Sequence, residues 1–195
     1  MYTRLADGMS DKPGRSGSGA LRGPVTGHYE TTWGAGAVTV LDGRLVAVHL
    51  PGEAGAVPAT ASEDLHPDDR AAVARWTGEL EAYFRGERLG WSAEEIGLDD
   101  LAVSEFARKV YAHLVEVAAA TTVSYGGLAE MAGHPRAARA VGTAMASNPI
   151  PIVVPCHRVI RSDGSYGNYG KDPNYKVRLL AHERACVKKK AAEGR

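Results

Sequence analysis

The sequence predicts an α+β (α/β) chain in two parts: a small antiparallel sheet with one helix first, then a mostly helical second half. Three observations carry this. Short alternating apolar segments crowd residues 25–50, helical three- and four-residue spacing dominates from Ser104 onward, and a polar, Gly-containing stretch separates the two. The 195 residues, 44% of them hydrophobic, suffice for a packed core in one large or two small domains.

In chain order, residues 1–23 are rich in Gly, Ser and Arg with little to bury and read as a disordered tail. From Val25, HYETTW, GAVTVL and RLVAVHL read as strands, with Asp42-Gly43 as the hairpin turn between the last two. After a Gly/Ala/Pro-rich connector, His66-Pro67-Asp68-Asp69 opens a helix, with a proline and acids in its first turn. The sheet-and-helix domain is taken as 24–90, and the polar segment 91–103 as a linker.

The domain from 104 to 187 starts with a helix at Ser104-Glu105, whose stripe is Phe106, Val110, Leu114 and Val117. Ser124 caps a short helix over Tyr125 to Met131. After the turn at Gly133 and His134-Pro135, a second helix runs from about Arg136 to Ala146. Two short helices joined by a Gly-containing turn are helix-turn-helix organisation, with neighbouring strands as a wing. The second helix is thin: Ala137, Ala138, Ala140, Gly142, Ala144 and Ala146 leave Arg136 and Arg139 as its cations. Such a helix can lie close to DNA while an arginine reaches into the base stack, and close helix–helix packing would use the same small residues.

Next, Ile150 to Val154 reads as a buried strand stopped by Pro155, delivering Cys156 into a pocket with His157 and Arg158 directly behind it. A thiol attacks as its thiolate, which a neighbouring imidazole or cation favours near neutral pH. Residues 188–195 read as a basic flexible tail.

Charge and cysteine usage narrow the class. Net charge is zero, but residues 1–103 carry 9 Lys/Arg against 16 Asp/Glu (−7) and residues 104–195 carry 14 against 7 (+7), so the second half is the one drawn to phosphates. Two cysteines, Cys156 and Cys186, are too few for a disulfide framework and show no zinc-binding spacing. With no apolar run long enough to span a bilayer, a cytoplasmic protein with no membrane partner is expected.

The set SYGGLAEMAG, RAARAVGTAM, NPIPIVVPCHRVIRSDGSYGNYG and LLAHE resembles the O6-alkylguanine-DNA alkyltransferase family, the suicide DNA-repair proteins, over about Ser104 to Glu183. PCHRV is its most specific part. The resemblance implies a ribonuclease H-like sheet-and-helix domain ahead of a winged helix-turn-helix domain. It implies stoichiometric, irreversible transfer of an alkyl group from O6-alkylguanine, and O4-alkylthymine, in duplex DNA, with no cofactor and no metal. Cys156 would be the acceptor, His157 its base through a water, Glu183 the acid holding His157, and Asn148 the hinge asparagine. Arg139 would fill the stack left by the flipped base, and Tyr125 would crowd the rotating phosphate. Gly142 and Met145 would face the groove, main-chain groups of Cys156 and Val159 would read the guanine, and Pro151, Tyr169 and Gly170 would line the alkyl site. Arg158 would be structural. A monomer is expected, with cooperative assembly on DNA left open.

The sequence also departs from the family pattern. Gly170-Lys171-Asp172-Pro173 replaces a small hydroxyl residue followed by glycines, and Arg178 stands where a tryptophan is common. Ala118-Ala119-Ala120 replaces a Pro/Gly turn, so the preceding helix is expected to run on. Two other functions share part of this pattern. A cysteine hydrolase would use Cys156, His157 and Glu183 but not Arg139, and a lesion-sensing DNA-binding protein without transfer would have no use for Cys156.

Overall fold

The computed structural model describes residues 23–52, 58–60, 65–167 and 173–194. Strands β1 (Val25–Thr31), β2 (Gly34–Leu41) and β3 (Arg44–His49) form an antiparallel sheet in that order. Asp42 (φ 51°) and Gly43 (φ 75°) both lie in the left-handed region, the conformation a two-residue hairpin turn demands and the one Asp-Gly supplies. The Gly43 N–H donates to Asp69 Oδ1 at 2.6 Å, tying that turn to helix α1 (Pro67–Phe84). His66 caps α1 by accepting from the Asp68 N–H at 3.3 Å. Trp76, Leu80 and Tyr83 of α1 pack on Tyr29, Val38, Val40 and Val48 of the sheet, all buried.

The segment read as a linker is folded. It holds helix α2 (Ala93–Ile96), closed by a Ser92–Glu95 capping box, and a 3-10 turn Leu98–Asp100. Trp91, Ile96, Leu98 and Leu101 are buried in the same core as α1. These apolar residues stand singly among acids and glycines, so no periodic stripe announced them.

In the second half, α3 (Glu105–Val115) is capped by the Ser104 hydroxyl, which accepts from the Ala107 N–H at 3.2 Å. Helices α4 (Tyr125–Met131) and α5 (Ala138–Ala146) pack on α3 and on each other. Gly133 (φ 77°) makes the turn between them, and α5 starts at Ala138 rather than Arg136. Val123–Ser124 (β4) and Val159–Ile160 (β5) pair in parallel beside the helix pair. The last helix, α6 (Pro173–Glu193), runs through the segment expected to be a flexible tail. Its Lys and Ala residues are good helix formers, and Lys190 Nζ donates to Glu87 O at 2.8 Å. The tail read over residues 1–23 lies, apart from Gly23, outside the described residues.

Helix α3 does not run on through the alanines. It stops at Val115, and Ala120 takes a left-handed conformation (φ 65°), a strained choice for a residue with a Cβ. Nor is Ile150 to Val154 a strand. Those residues are buried as expected, but they form a tight turn in which the Val154 N–H donates to Ile150 O at 2.9 Å and Ile152 is left-handed (φ 74°). The two prolines around this segment remove the donors a strand would need. Left-handed backbone at a β-branched residue is costly, and packing of Ile150, Ile152 and Val154 at 0–1% exposure holds it in place.

Candidate active site

Cys156, His157 and Arg158 form a single 3-10 turn at the end of that strained segment, all three buried. The Asn148 side chain spans the segment. Its Oδ1 accepts from the Ile150 N–H at 3.1 Å, and its Nδ2 donates to Val154 O at 2.9 Å and to Cys156 Sγ at 3.2 Å. A donor aimed at sulfur favours the thiolate over the thiol. Asn148 therefore both fixes the loop and favours the reactive state of the thiol.

Beneath the cysteine, His157 Nε2 lies 2.8 Å from Glu183 Oε1, with both side chains fully buried. A carboxylate can only accept, so Nε2 carries the proton and Nδ1 is left as the basic nitrogen. Nδ1 is buried and has no hydrogen-bond partner among the described residues. Burial pushes the His157 imidazole below its ordinary range, against the pull of Glu183. The ring is thus neutral near pH 7 and able to take a proton.

Burial alone would raise the Glu183 carboxyl, but hydrogen bonds and charge from His157 and Arg158 outweigh it and hold the group at about 2. Near pH 7, where His157 is neutral, the remaining compensating charge is that of Arg158. Its NH2 donates to Oε1 at 2.7 Å and its Nε reaches both oxygens at 3.2 Å. The rest of the guanidinium donates to the carbonyls of Val117 and Leu89. Arg158 thus pairs with a carboxylate and with backbone carbonyls, and it helps keep the Glu183 carboxylate charged.

Several partners were not evident from sequence. The Tyr83 hydroxyl donates to Glu183 Oε1 at 3.0 Å, and the Ala120 N–H donates to Oε2 at 2.8 Å, which accounts for the left-handed turn there. Lys176, 1% exposed, donates to Val159 O at 2.7 Å and Tyr166 O at 2.9 Å, with its ammonium 5.9 Å from the Tyr125 ring centroid. Burial lowers its pKa. A lysine in an amphipathic helix reads as solvated, so its burial gave no signal. The Val48 N–H of β3 donates to Pro149 O at 2.9 Å, so the sheet's edge grips the loop that carries the cysteine.

Of the remaining expected site residues, Tyr125 begins α4 and Gly142 faces its ring, an added Cβ there falling 4.0 Å from Cε1. Arg139 is exposed in the first turn of α5, with Met145 partly buried near the other end. Pro151 is partly buried and Val159 fully buried beside the cysteine turn. Tyr169 and Gly170 lie outside the described residues. No helix among the described residues is long and apolar enough to cross a membrane.

The family model for the 6-O-methylguanine DNA methyltransferase DNA binding domain matches residues 105–185. A methylated-DNA–protein-cysteine methyltransferase of Mycobacterium leprae is 42% identical over 119 residues, covering 61% of this chain and 70% of that protein. The chain belongs to the methylated-DNA–protein-cysteine methyltransferase family. The mouse methyltransferase of the same name is 45% identical over 122 residues, 60% of this chain and 58% of its own length. Among solved structures, that of Mycobacterium tuberculosis OGT in complex with DNA aligns with a TM-score of 0.65 at 30% identity, covering 83% of this chain and 93% of that one. The methyltransferase fold of this chain thus extends through the sheet-and-helix half, where local sequence motifs were silent.

Proposed function

We propose that the protein repairs O6-alkylguanine in duplex DNA, and O4-alkylthymine by the same chemistry, by moving the alkyl group irreversibly onto Cys156. The observation that carries this reading is the buried Cys156–His157–Glu183 arrangement with its charge-compensating Arg158, set beside an exposed, small-residue helix that presents Arg139. His157 Nδ1 takes the thiol proton through one water, while Glu183 holds the ring and stabilises the cation that forms. The thiolate attacks the alkyl carbon in line, so the S–C bond forms as the C–O6 bond breaks. Guanine leaves as its anion and takes a proton. The thioether left on Cys156 has no acyl carbon for water to attack, so each molecule acts once.

A base within the duplex cannot reach a thiol that is 4% exposed, so the nucleotide must leave the stack, at a cost of a few kcal/mol. Helix α5 is thin enough to enter a groove, with Gly142 and Met145 toward it. Arg139 fills the vacated stack, and Tyr125 crowds the phosphate as it turns. Main-chain groups of Cys156 and Val159 read the guanine edge, and Pro151 lines the alkyl site. Arg139→Ala is then expected to slow repair of duplex DNA by about tenfold or more, the equivalent of ~1.4 kcal/mol, while reaction with free O6-alkylguanine base changes little. Equal slowing of both substrates would remove Arg139 from the flipping step.

The deciding experiment is intact-protein mass after incubation with a short duplex carrying one O6-methylguanine, with peptide mapping of the product. The expected result is one methyl group per protein, on Cys156, reaching a plateau with no further turnover. Repeated turnover on a thioester or amide would favour a hydrolase, and tight binding to the duplex without mass gain would favour a lesion sensor.

A further inference from the structure

We infer that Tyr83, contributed by the N-terminal sheet-and-helix half, is a positioning residue of the acceptor site, sharing Glu183 Oε1 with His157 and so fixing how strongly the carboxylate engages the imidazole. This rests on the alkyl-transfer reading and extends it to a residue 73 positions before the cysteine, outside the half that carries the family motifs.

The geometry is specific. Glu183 Oε1 accepts from Tyr83 Oη at 3.0 Å, His157 Nε2 at 2.8 Å and Arg158 NH2 at 2.7 Å, Oε2 takes the Ala120 N–H at 2.8 Å, and Arg158 Nε is shared between the two oxygens at 3.2 Å. A carboxylate oxygen has about two lone-pair directions, so three donors on Oε1 compete for them. Tyr83 cannot drift away from the competition. It is fully buried, stacks on Trp91 (6.3 Å between centroids, 26°), meets Phe84 edge-on at 5.4 Å, and its own carbonyl accepts from His182 Nε2 at 2.9 Å. Its ring also stands 6.5 Å from that of His157, at 70°. Burial and the Glu183 charge raise the phenol well above its ordinary range, so it remains a donor throughout the working pH range.

The groups that face this pair come from three elements. Arg158 and Cys156 belong to the same turn as His157, Glu183 and Lys176 come from α6, and Tyr83 comes from α1 with His182 and Cys186 of α6 against it. Tyr83 is a neutral donor to Oε1, so its hydroxyl can be removed without changing the charge of the cluster. Loss of that donor leaves Oε1 freer to accept from His157. The imidazolium gains stabilisation, the pKa of His157 rises, and the neutral ring that accepts the thiol proton persists only at higher pH.

The test is the rate of methyl transfer from an O6-methylguanine duplex to the full-length protein as a function of pH, for wild type, Tyr83→Phe and Tyr29→Phe. Tyr29 is the control: it is likewise buried in the N-terminal half, but its hydroxyl donates to His49 O at 3.0 Å, away from the relay. In Tyr83→Phe the acid limb of the profile is expected to move up by roughly half to one pH unit, the scale of one ordinary hydrogen bond, with the limb of Tyr29→Phe unmoved. An unmoved limb in Tyr83→Phe, or equal movement in both variants, overturns the inference. Should Tyr83→Phe fail to fold, 3-fluorotyrosine placed at position 83 is a stronger donor of nearly the same shape and must move the limb down; no movement overturns the inference equally. A wild-type protein that transfers nothing overturns the transfer reading and this inference with it. Transfer by wild type with the limb fixed in the variant overturns the role of Tyr83 alone.

Discussion

Cys156→Ala is expected to abolish alkyl transfer, leaving the mass of the protein unchanged after incubation with O6-methylguanine duplex, while DNA affinity stays close to that of wild type. The two outcomes separate because the sulfur and the DNA-facing surface lie on different elements. Sγ sits in a buried turn and is held by Asn148, whereas the proposed groove contacts sit on α5, whose Arg139 is exposed. Cys186 does not take over. Its thiol lies near His182 in α6, at 3.7 Å from Nε2, but burial raises it away from the thiolate. Transfer retained by Cys156→Ala, with the adduct mapped elsewhere, would remove Cys156 from the mechanism. Loss of binding together with transfer would mean that the cysteine turn itself forms part of the DNA contact.

How far such a site can be read from sequence depends on how local its causes are. The hairpin at Asp42-Gly43 and the helix starts at His66-Pro67, Ser104 and Ser124 are each set by neighbours within a few residues, and each was legible, whereas the 3-10 turn over Cys156, His157 and Arg158 was not. Burial of the linker was not, because Trp91, Ile96, Leu98 and Leu101 are buried by α1 and other distant residues rather than by their own periodicity. The expected strand over Ile150 to Val154 failed for a related reason. Apolar content gave its burial, but two prolines and the bridging Asn148 side chain chose a turn instead of a ladder. The motif residues of the relay were legible, yet the groups that set its electrostatics were not: Tyr83 lies 100 positions from Glu183, and the Ala120 N–H is a backbone donor that no side-chain pattern advertises.

Arg158→Met is expected to destabilise the fold by about 3–5 kcal/mol, the cost of removing one partner of a buried ion pair and leaving the other charged. Glu183 is fully buried, and Arg158 is the cation that reaches both of its oxygens, so no solvent is at hand to replace the guanidinium. The carboxyl must then either remain charged among neutral donors or take up a proton, and both cost free energy relative to wild type. Acid titration distinguishes this electrostatic origin from simple loss of packing. In wild type the Glu183 carboxyl is held at about 2 against an ordinary 4.5, so the folded state binds its proton more weakly than the unfolded chain does. The stabilisation is fully present above about pH 4.5 and drains away as pH falls toward 2. Arg158→Met keeps the hydrogen bond from His157 but loses the hydrogen bonds and charge of Arg158 that help depress this group, so its unfolding free energy, measured by urea at a series of pH values, falls less steeply than wild type across that window. The double variant Arg158→Met/Glu183→Gln removes both charges and recovers part of the loss near pH 7, although activity does not return because His157 no longer has its carboxylate. A loss below about 1 kcal/mol for Arg158→Met, with the acid dependence of wild type retained, would show that Arg158 does not supply the compensating charge.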